Sequence, residues 1–436
     1  MVISPKLWIK KASDPRIIYL YSYSIYSILT DADMSVFYHL LPIPCGQVTP
    51  NPHMNPIHIS CAFDSGAIDV VSASDPANVQ LNIRADNASE FAQWFHFSVL
   101  GEVGQAITLR FLNAGKSAFP AGWNGYRICA SVDRHHWHRI DTQFDGQVMS
   151  AQVTLAQPIL YFAYFEPYSY ERHLDLIGRS AQSSQVDIEH LGHTLDGRDM
   201  TLLRITDAHA AMPLPARKKV WLIARQHPGE TMAEWFIDGF LQRLLDGQDA
   251  LSRVLLQQCV FYVVPNMNPD GAVRGNLRTN AAGANLNREW AAPSLEKSPE
   301  VYWVRKKMLD VGIDLNLDVH GDEDLPYNFV AGSEGVAGYG PRIEGLESLF
   351  KSTWLDACPD FQTTHGYGRS KPNTANLALA THWVASQFDC LALTIEMPFK
   401  DNANLPDARV GWSGERSKKL GASVLAPILA VLPSLR

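Results

Sequence analysis

The chain has 436 residues, of which 46% are hydrophobic and 19% charged, so it can bury two or three domain cores and is not globally disordered. Its formal net charge is −8 with no block of five or six like charges, which argues against a nucleic-acid partner because that partner requires a basic surface. No C-x-x-C pair occurs among the six cysteines, and the apolar stretch near 17–29 is too short to span a bilayer, so we expect a cytoplasmic protein with free thiols and no membrane partner.

The first 53 residues differ in composition from those that follow. They are rich in Tyr, Ser and Pro, lack clear periodicity, and lead into a turn-rich stretch at 49–56. We interpret 1–53 as an N-terminal extension, and leave open whether it belongs to the mature protein. A well-formed domain can begin at Met54.

Residues 54–170 show short alternating runs separated by glycines and prolines. The runs lie at 79–84, 94–99, 107–111, 126–132 and 160–165. Regular short strands without intervening helices predict an antiparallel β-sandwich domain. Histidines at 135, 136 and 138 raise the possibility of a metal site, but adjacent residues of a strand point to opposite faces, which disfavours it.

Residues 171–436 alternate strands and helices. Strands are predicted at 186–191, 200–205, 220–224, 259–265, 314–319 and 391–395. Helices are predicted near 232–246, 298–310, 341–357 and 373–387, with a closing amphipathic helix over 413–432. This order predicts an α/β fold with a mixed, mostly parallel sheet flanked by helices.

A candidate metal site lies where two of these strands end. His227 and Glu230 follow the strand at 220–224, and His320 follows the strand at 314–319. Two close ligands and one distant ligand, each at a strand end, can assemble a catalytic His₂Glu zinc site. The His-x-x-Glu pair alone is weak evidence for a metal site, since an ordinary loop histidine followed by a glutamate at a helix start has the same pattern. Asp318 is either a carboxylate partner for His320 or an ordinary polar strand residue.

Two further features carry polar groups near these ligands. A Gly- and Asn-rich loop over 266–290 contains three arginines, whose guanidinium groups suit carboxylate binding and oxyanion stabilisation, although the loop could simply be solvated. Glu396 ends an otherwise apolar strand, where an unpaired carboxylate is costly. We therefore expect a functional role for Glu396.

Four motifs together resemble those of a known family. They are His-Pro-Gly-Glu at 227–230, Asn-Pro-Asp-Gly at 268–271, Asn-Arg at 287–288 and Thr-Ile-Glu at 394–396. The set resembles the zinc metallocarboxypeptidases, the carboxypeptidase A-like peptidases, and most of all their cytosolic carboxypeptidase branch. The resemblance covers roughly 57–430 and includes the predicted β domain.

The resemblance implies one zinc ion per chain and roles for particular residues. His227, Glu230 and His320 would bind the zinc ion. Glu396 would act as general base and then as general acid, and Arg278 would polarise the scissile carbonyl. The implied reaction is hydrolysis of the C-terminal peptide bond of a peptide or protein tail.

The same resemblance implies how the substrate is held. Asn287 and Arg288 would bind its terminal carboxylate, and Tyr367 is our candidate for the tyrosine that the family places near the terminal residue. Eukaryotic members of the resembled branch remove acidic residues from protein tails. Because Arg369 and Lys371 lie in the loop that carries Tyr367, we expect a preference for C-terminal Glu or Asp, with solvated loop charges as the alternative.

Two other functions remain open from the sequence. A zinc-dependent deacylase of N-acyl amino acids shares the His-x-x-Glu pattern but does not need a large preceding β domain. A catalytically silent peptide-binding module is disfavoured because all three candidate ligands and Glu396 are present. An assay separates the carboxypeptidase from the deacylase: the first releases a free amino acid from a peptide, and the second cleaves an N-acyl amino acid.

The extension at 1–53 gives the first testable prediction. A chain that begins at Met54 should have the melting temperature and activity of the full chain, because the periodic strand pattern starts only after that residue. The two chains are compared by thermal unfolding and peptide hydrolysis. A clear drop in melting temperature on truncation would show that the extension packs on the folded body.

Overall fold

The computed structural model of the protein describes residues 57–436, in which two five-stranded sheets precede one seven-stranded sheet. The predicted extension lies outside the described residues. The strands of the two smaller sheets are β1 (His58–Ser60), β2 (Asp69–Ser72), β3 (Val79–Asn82), β4 (His96–Leu100), β5 (Ala106–Phe111), β6 (Cys129–Ser131), β7 (His138–Arg139), β8 (Gln143–Phe144), β9 (Met149–Thr154) and β10 (Ile159–Ala163). Their orders are β1-β4-β10-β6-β7 and β2-β3-β5-β9-β8.

These two sheets confirm the predicted antiparallel architecture, with one exception. Strands β3 and β5 pair in parallel. The reason is that β4, which lies between them in the chain, belongs to the other sheet, so the chain crosses over before it returns. The sheets share a core in which the ring centroids of Phe97 and Phe111 lie 6.1 Å apart and Phe162 stacks on Phe97 at 5.2 Å.

The rest of the chain builds the large sheet and its flanking helices. Its strands are β11 (Val186–His193), β12 (Asp199–Ile205), β13 (Lys218–Ala224), β14 (Cys259–Val264), β15 (Leu315–Asp322), β16 (Phe329–Ala331) and β17 (Leu391–Pro398). Its helices are α1 (Tyr170–Ser180), α2 (Thr231–Leu244), α3 (Ala250–Gln258), α4 (Pro269–Arg274), α5 (Pro299–Val311), α6 (Pro341–Ala357), α7 (Ala380–Phe388), α8 (Gly414–Ser423) and α9 (Leu425–Val431).

The large sheet is mixed and parallel at its centre, as predicted. Its order is β11-β12-β14-β13-β15-β17-β16, and β14, β13, β15 and β17 pair in parallel. Strands β11, β12 and β16 pair antiparallel with their neighbours. The central strands are apolar because helices cover both faces of the sheet. Their carboxyl ends therefore meet along one edge, where a site can form.

Some element boundaries were predicted wrongly. The closing helix over 413–432 is two helices that meet at Val424, because Pro427 has no N–H to donate to the carbonyl four residues earlier and its ring crowds that carbonyl. The helix expected near 373–387 begins at Ala380, and Asn373 instead has a φ of 59°. The short elements β16, α3 and α4 were not predicted.

The described residues also bear on the compartment and membrane expectations. None of the helices within 57–436 is both long and apolar enough to cross a membrane. The described cysteines have free thiols, and all of them except Cys61 are buried. Burial raises the pKa of the Cys259 thiol to about 12, and it also raises the pKa of the Cys390 thiol. Both thiols therefore stay protonated and unreactive.

Helix α2 is held against α8 by an unusually close backbone approach. A Cβ atom on Gly239 would lie 2.0 Å from the carbonyl oxygen of Lys418, and one on Gly421 would lie 2.0 Å from the carbonyl oxygen of Phe236. Both obstacles are backbone atoms, which cannot move without shifting a helix. The two glycines therefore set the distance between α2 and α8 and so the placement of α2 under the sheet.

Replacing Gly239 by Ala tests this close contact. The variant should lose roughly 1–3 kcal/mol of unfolding free energy, the usual cost of overpacking, as measured by urea denaturation. Gly345→Ala in α6 is the matched control, because a Cβ atom there meets nothing within 4 Å. The control should gain roughly 0.5–1 kcal/mol from the lower backbone entropy of its unfolded chain. Equal effects at the two positions would contradict the close-contact explanation.

Candidate active site

The three predicted metal ligands meet at one buried point. His227 follows the end of β13, Glu230 precedes α2, and His320 lies in β15, which pairs with β13. Nδ1 of His227 lies 2.6 Å from Oε1 of Glu230, and Nδ1 of His320 lies 2.7 Å from Oε2 of Glu230. One donor atom of each side chain lies within 4.8 Å of the other two. Two imidazoles and a carboxylate are the protein ligands of several catalytic zinc sites.

Outer hydrogen bonds fix which ring nitrogen of each histidine faces this point. Nε2 of His227 lies 3.0 Å from the amide oxygen of Asn285, and Nε2 of His320 lies 3.0 Å from a carboxylate oxygen of Asp318. Both partners are acceptors, so each Nε2 carries a hydrogen. Each Nδ1 is then the atom available to a metal. The structure thus places Asp318 against His320, while Asn285 was missed because it lies in a loop far from His227 in sequence.

The charges at this point favour a bound cation. Burial and the charge of Arg278 lower the pKa of His227 to about 4, so its imidazole is neutral. Burial also lowers the pKa of His320, but the carboxylates of Asp318 and Glu230 outweigh burial and raise it well above its usual value. His320 therefore holds a second proton on the nitrogen that faces Glu230. A divalent cation fits the same donors by displacing that proton.

Glu396 lies beside the same point. It pairs with His320 across the parallel strands β17 and β15. The hydroxyl of Tyr367 lies 3.1 Å from Oε1 of Glu396 and 2.7 Å from Oδ2 of Asp322. Oε2 of Glu396 is buried without a hydrogen-bond partner among the described residues. Burial raises the pKa of Glu396 well above its usual value, so this carboxyl group can hold a proton near neutral pH.

One cavity of about 870 Å³ brings together all the predicted site residues. Its walls include His227, Glu230, Arg278, Asn287, Arg288, His320, Tyr367 and Glu396. Within 57–436, no ion pair is formed by Arg278 or Arg288. The positive charge of Arg278 helps to lower the pKa of Arg288, after the larger effect of burial. Two neighbouring cations without carboxylate partners suit an anionic group in the cavity.

The β domain holds the loop that carries Arg278. The Asp86 carboxylate accepts hydrogen bonds from the backbone N–H groups of residues 277, 278 and 279 at 2.6, 2.7 and 2.9 Å. The guanidinium carbon of Arg278 lies 5.6 Å from the ring centroid of Phe91 and 5.4 Å from that of Phe119. These contacts leave the guanidinium group facing the cavity. Asp86 was missed because no local pattern links it to a loop 190 residues away.

A buried arginine holds the turn that carries His227 and Glu230. Arg225 has a φ of 60°, and its Nε donates to the carbonyl of Pro228 at 2.9 Å. Its Nη1 donates to Oε2 of Glu234 at 2.6 Å. The other oxygen of Glu234 lies 2.6 Å from Nδ1 of His173 in α1. A fully bonded buried pair of this kind fixes geometry even where its net contribution to stability is small.

The chain is similar to known carboxypeptidases. Residues 59–165 match the family described as cytosolic carboxypeptidase N-terminal domain, and residues 171–309 match zinc carboxypeptidase. The chain is 46% identical over 379 residues to an uncharacterized protein of Zymomonas mobilis, an alignment that covers 87% of this chain and 97% of the relative. It is 29% identical over 337 residues to cytosolic carboxypeptidase 3 of Bos taurus, covering 68% of this chain but only 32% of that longer protein.

Solved structures of metallo-carboxypeptidases are similar to this chain as well. The metallo-carboxypeptidase of Burkholderia cenocepacia is 50% identical with a TM-score of 0.83, over 86% of this chain and 98% of that one. The metallo-carboxypeptidase of Pseudomonas aeruginosa, solved in complex with (2-guanidinoethylmercapto)succinic acid, is 46% identical with a TM-score of 0.83, over 87% of this chain and all of that one.

The Asp86 contacts predict that the β domain affects catalysis. Asp86→Asn replaces one acceptor oxygen by an NH₂ group that faces backbone N–H groups, so the loop of Arg278 should shift. Activity on a peptide should fall at least ~10-fold, since a misplacement of ~1 Å can cost ~10²-fold. Metal content should not change, because none of the three ligands moves.

Asp145→Asn is the matched control for Asp86→Asn. Asp145 lies in the same domain, but within residues 57–436 its Oδ1 accepts only from N–H groups of its own turn, those of Gln147 and Val148 at 2.8 Å each. Activity of the control should match that of the parent. Parental kcat/KM in Asp86→Asn would mean that the loop holds Arg278 without help from the β domain.

Proposed function

The chain belongs to the zinc carboxypeptidase family of peptide hydrolases, and from this premise we propose that it is a zinc-dependent metallocarboxypeptidase that removes the C-terminal residue of peptides or protein tails. The observation that carries the proposal is the cavity in which the His₂Glu cluster, Glu396 and two arginines without an ion pair in the described part of the chain lie together. The Bos taurus relative is about three times as long as its aligned part.

The proposed zinc site uses His227, Glu230 and His320, with one ion per chain. The fit rests on the two Nδ1 atoms that point at the Glu230 carboxylate and on the acceptors that hold the other ring nitrogens. Zinc bound there would supply Lewis acidity and an acidified water. The remaining steps belong to side chains of this chain.

The proposed substrate position follows from the two arginines. Arg288, with the side-chain amide of Asn287, would bind the terminal carboxylate, because a guanidinium fork pairs with a carboxylate in two parallel hydrogen bonds. The side-chain oxygen of Asn287 accepts from the N–H group of Ala380 at 2.9 Å, which anchors that residue and leaves its NH₂ group for substrate. Arg278 would stabilise negative charge on the scissile carbonyl oxygen.

Glu396 would move the proton. Its raised pKa, caused first by burial, suits a group that takes a proton from water and then gives it to the leaving amine. Tyr367, at 3.1 Å, would donate a hydrogen bond to Glu396 or to the substrate. Asp322, at 2.7 Å, holds the hydroxyl of Tyr367 in this position.

A preference for acidic C-terminal residues is the finer part of the proposal. Its support is Arg369, which lines the cavity, whereas Lys371 is not among the lining residues. The Arg369 guanidinium also has carboxylate neighbours, with Nη2 3.0 Å from Glu344 and Nε 3.8 Å from Glu334. An acidic substrate side chain would have to compete with these two carboxylates for Arg369.

A basic C-terminal residue is the rival, and a specific observation favours it. Glu334, Glu344 and Glu347 all line the cavity, opposed by Arg369 and by Lys351, whose Nζ lies 2.5 Å from Glu347. The ligand in the Pseudomonas aeruginosa structure carries a guanidino group on a dicarboxylic acid, as its name states. An acidic C-terminal side chain would bind the cationic groups of this cavity wall, whereas a basic one would bind its carboxylates.

We also propose a cytoplasmic location. The described cysteines are free and mostly buried, as expected in a reducing compartment.

Replacing Glu396 by Gln tests the mechanism. The change keeps the side-chain volume and removes the base, so turnover should fall at least ~10²-fold while peptide binding and zinc content persist. His227→Ala should instead lose the tightly held zinc, as measured by metal analysis. Glu300→Gln is the control, because Glu300 is buried but lies outside the cavity walls. Near-parental turnover in Glu396→Gln would exclude Glu396 as the proton carrier.

A peptide library with varied C-terminal residues tests specificity. We expect the highest kcat/KM for Glu or Asp ends, and Arg369→Ala should reduce that preference because it removes the cation. Preferred Lys or Arg ends would reject the acidic preference in favour of the rival. An N-acyl amino acid serves as a further substrate, since its cleavage in place of peptides would identify a deacylase.

A further inference from the structure

Three potential metal ligands meet on the surface of the hairpin formed by β11 and β12. Oδ1 of Asp199 lies 3.2 Å from Nε2 of His190 and 3.2 Å from Nδ1 of His193. The two imidazole centroids lie 4.5 Å apart. One donor atom from each of the three side chains lies within 4.8 Å of the other two, as in the buried cluster.

A β-bulge brings the two histidines to one face of the hairpin. In a regular strand, residues 190 and 193 would point to opposite faces. Here His190 pairs with Thr201, Gly192 with Met200 and His193 with Asp199, so one extra residue is inserted in β11. The insertion puts both histidines on the face of Asp199.

Gly192 makes this bulge possible. Its φ is 159°, and a Cβ atom there would lie 2.3 Å from the indole of Trp303 in α5. The indole Nε1 also donates to the carbonyl of His193 at 3.2 Å. The packing of helix α5 therefore holds the bulged backbone and so positions the two histidines.

This cluster is separate from the active site. Strand β11 is the edge of the large sheet, and β12 and β14 lie between it and β13, which leads to His227. None of the three side chains lines the catalytic cavity. Their side chains are half-exposed or more, at 50%, 61% and 63% for His190, His193 and Asp199, so a cation can reach them from solvent.

We propose that His190, His193 and Asp199 bind a divalent transition-metal cation of the zinc type, with water completing its coordination. Two imidazoles and a carboxylate suit Zn²⁺, Ni²⁺ and Cu²⁺ better than the oxygen-preferring Mg²⁺ or Ca²⁺. The site is more exposed than the buried cluster, and no acceptor within residues 57–436 other than Asp199 contacts its imidazole rings, so it binds its cation more weakly.

The bound cation would crosslink the two strands of the hairpin. The turn between β11 and β12 is tied to Asp270 at the start of α4, through Thr194 Oγ1 and Arg198 Nη1 at 2.8 Å each. Helix α4 leads into the loop of Arg278. Crosslinking the two strands next to this turn would stabilise the hairpin against opening, so the cation stabilises the fold from outside the cavity.

Equilibrium dialysis of the full chain against Zn²⁺, followed by metal analysis, tests the site. The parent should bind two equivalents at excess Zn²⁺ and retain one after dialysis against metal-free buffer. His190→Ala, His193→Ala and Asp199→Asn should each bind one equivalent at excess Zn²⁺ and keep peptidase activity. Cu²⁺ bound to the weak site of the parent should give an EPR signal with two coupled nitrogens, which either histidine variant should reduce to one.

A matched control uses the other exposed histidine pair. His135 and His136 are exposed, and His136 Nδ1 lies 2.7 Å from Asp133, but they are not part of a three-donor group within 57–436. The double variant His135→Ala, His136→Ala should still bind two equivalents. One equivalent in the parent at excess Zn²⁺, or a second equivalent that survives all three hairpin variants, would overturn the hairpin site.

His227→Ala separates this inference from the proposed function. It should lose the tight equivalent and keep the weak one with its two-nitrogen signal. If instead His227→Ala kept the tight equivalent, the proposed catalytic metal site would fail, while loss of the weak equivalent in the hairpin variants would still support the surface site.

Discussion

The whole site depends on the parallel pairing of β13, β15 and β17. Parallel strands end at the same edge of a sheet, so residues that are far apart in sequence meet there without any local contact between them. The register places His320 directly beside Glu396, and the turn after β13 brings His227 and Glu230 to the same edge. A slip of one residue in either pairing would turn His320 or Glu396 to the opposite face of the sheet.

A buried carboxylate and its partners hold the turn at this edge of the sheet. Glu234 is fully buried, and one of its oxygens accepts a hydrogen bond from Arg225 while the other contacts His173, so both oxygens have a partner. Such a pair contributes little net stability, since desolvation offsets most of the attraction. It fixes the turn between β13 and α2, where Arg225 adopts a positive φ. Oε2 of Glu396 differs from these groups, because it is buried and has no hydrogen-bond partner within residues 57–436.

The β domain contributes to the wall of the candidate site. Phe91 and Phe119 supply the wall against which Arg278 lies, and Asp86 binds the backbone of the same loop. Tyr164 of the β domain stacks on Phe399, three residues after Glu396, with ring centroids 4.5 Å apart. The loop of Arg278 and the end of β17 are therefore both held by elements that precede the large sheet in the chain.

The sequence by itself determined the fold class and the apolar central strands. It also indicated His227, Glu230, His320 and Glu396 as candidate site residues, because strand ends and an isolated carboxylate in an apolar run are local signals. Tertiary structure alone decided the contacts of Asp86, Asn285 and Arg225, whose partners lie on other elements and leave no periodic trace. It also decided that His190 and His193 share a face, because the bulge at Gly192 depends on the packing of Trp303 from α5, and no pattern within β11 records that contact.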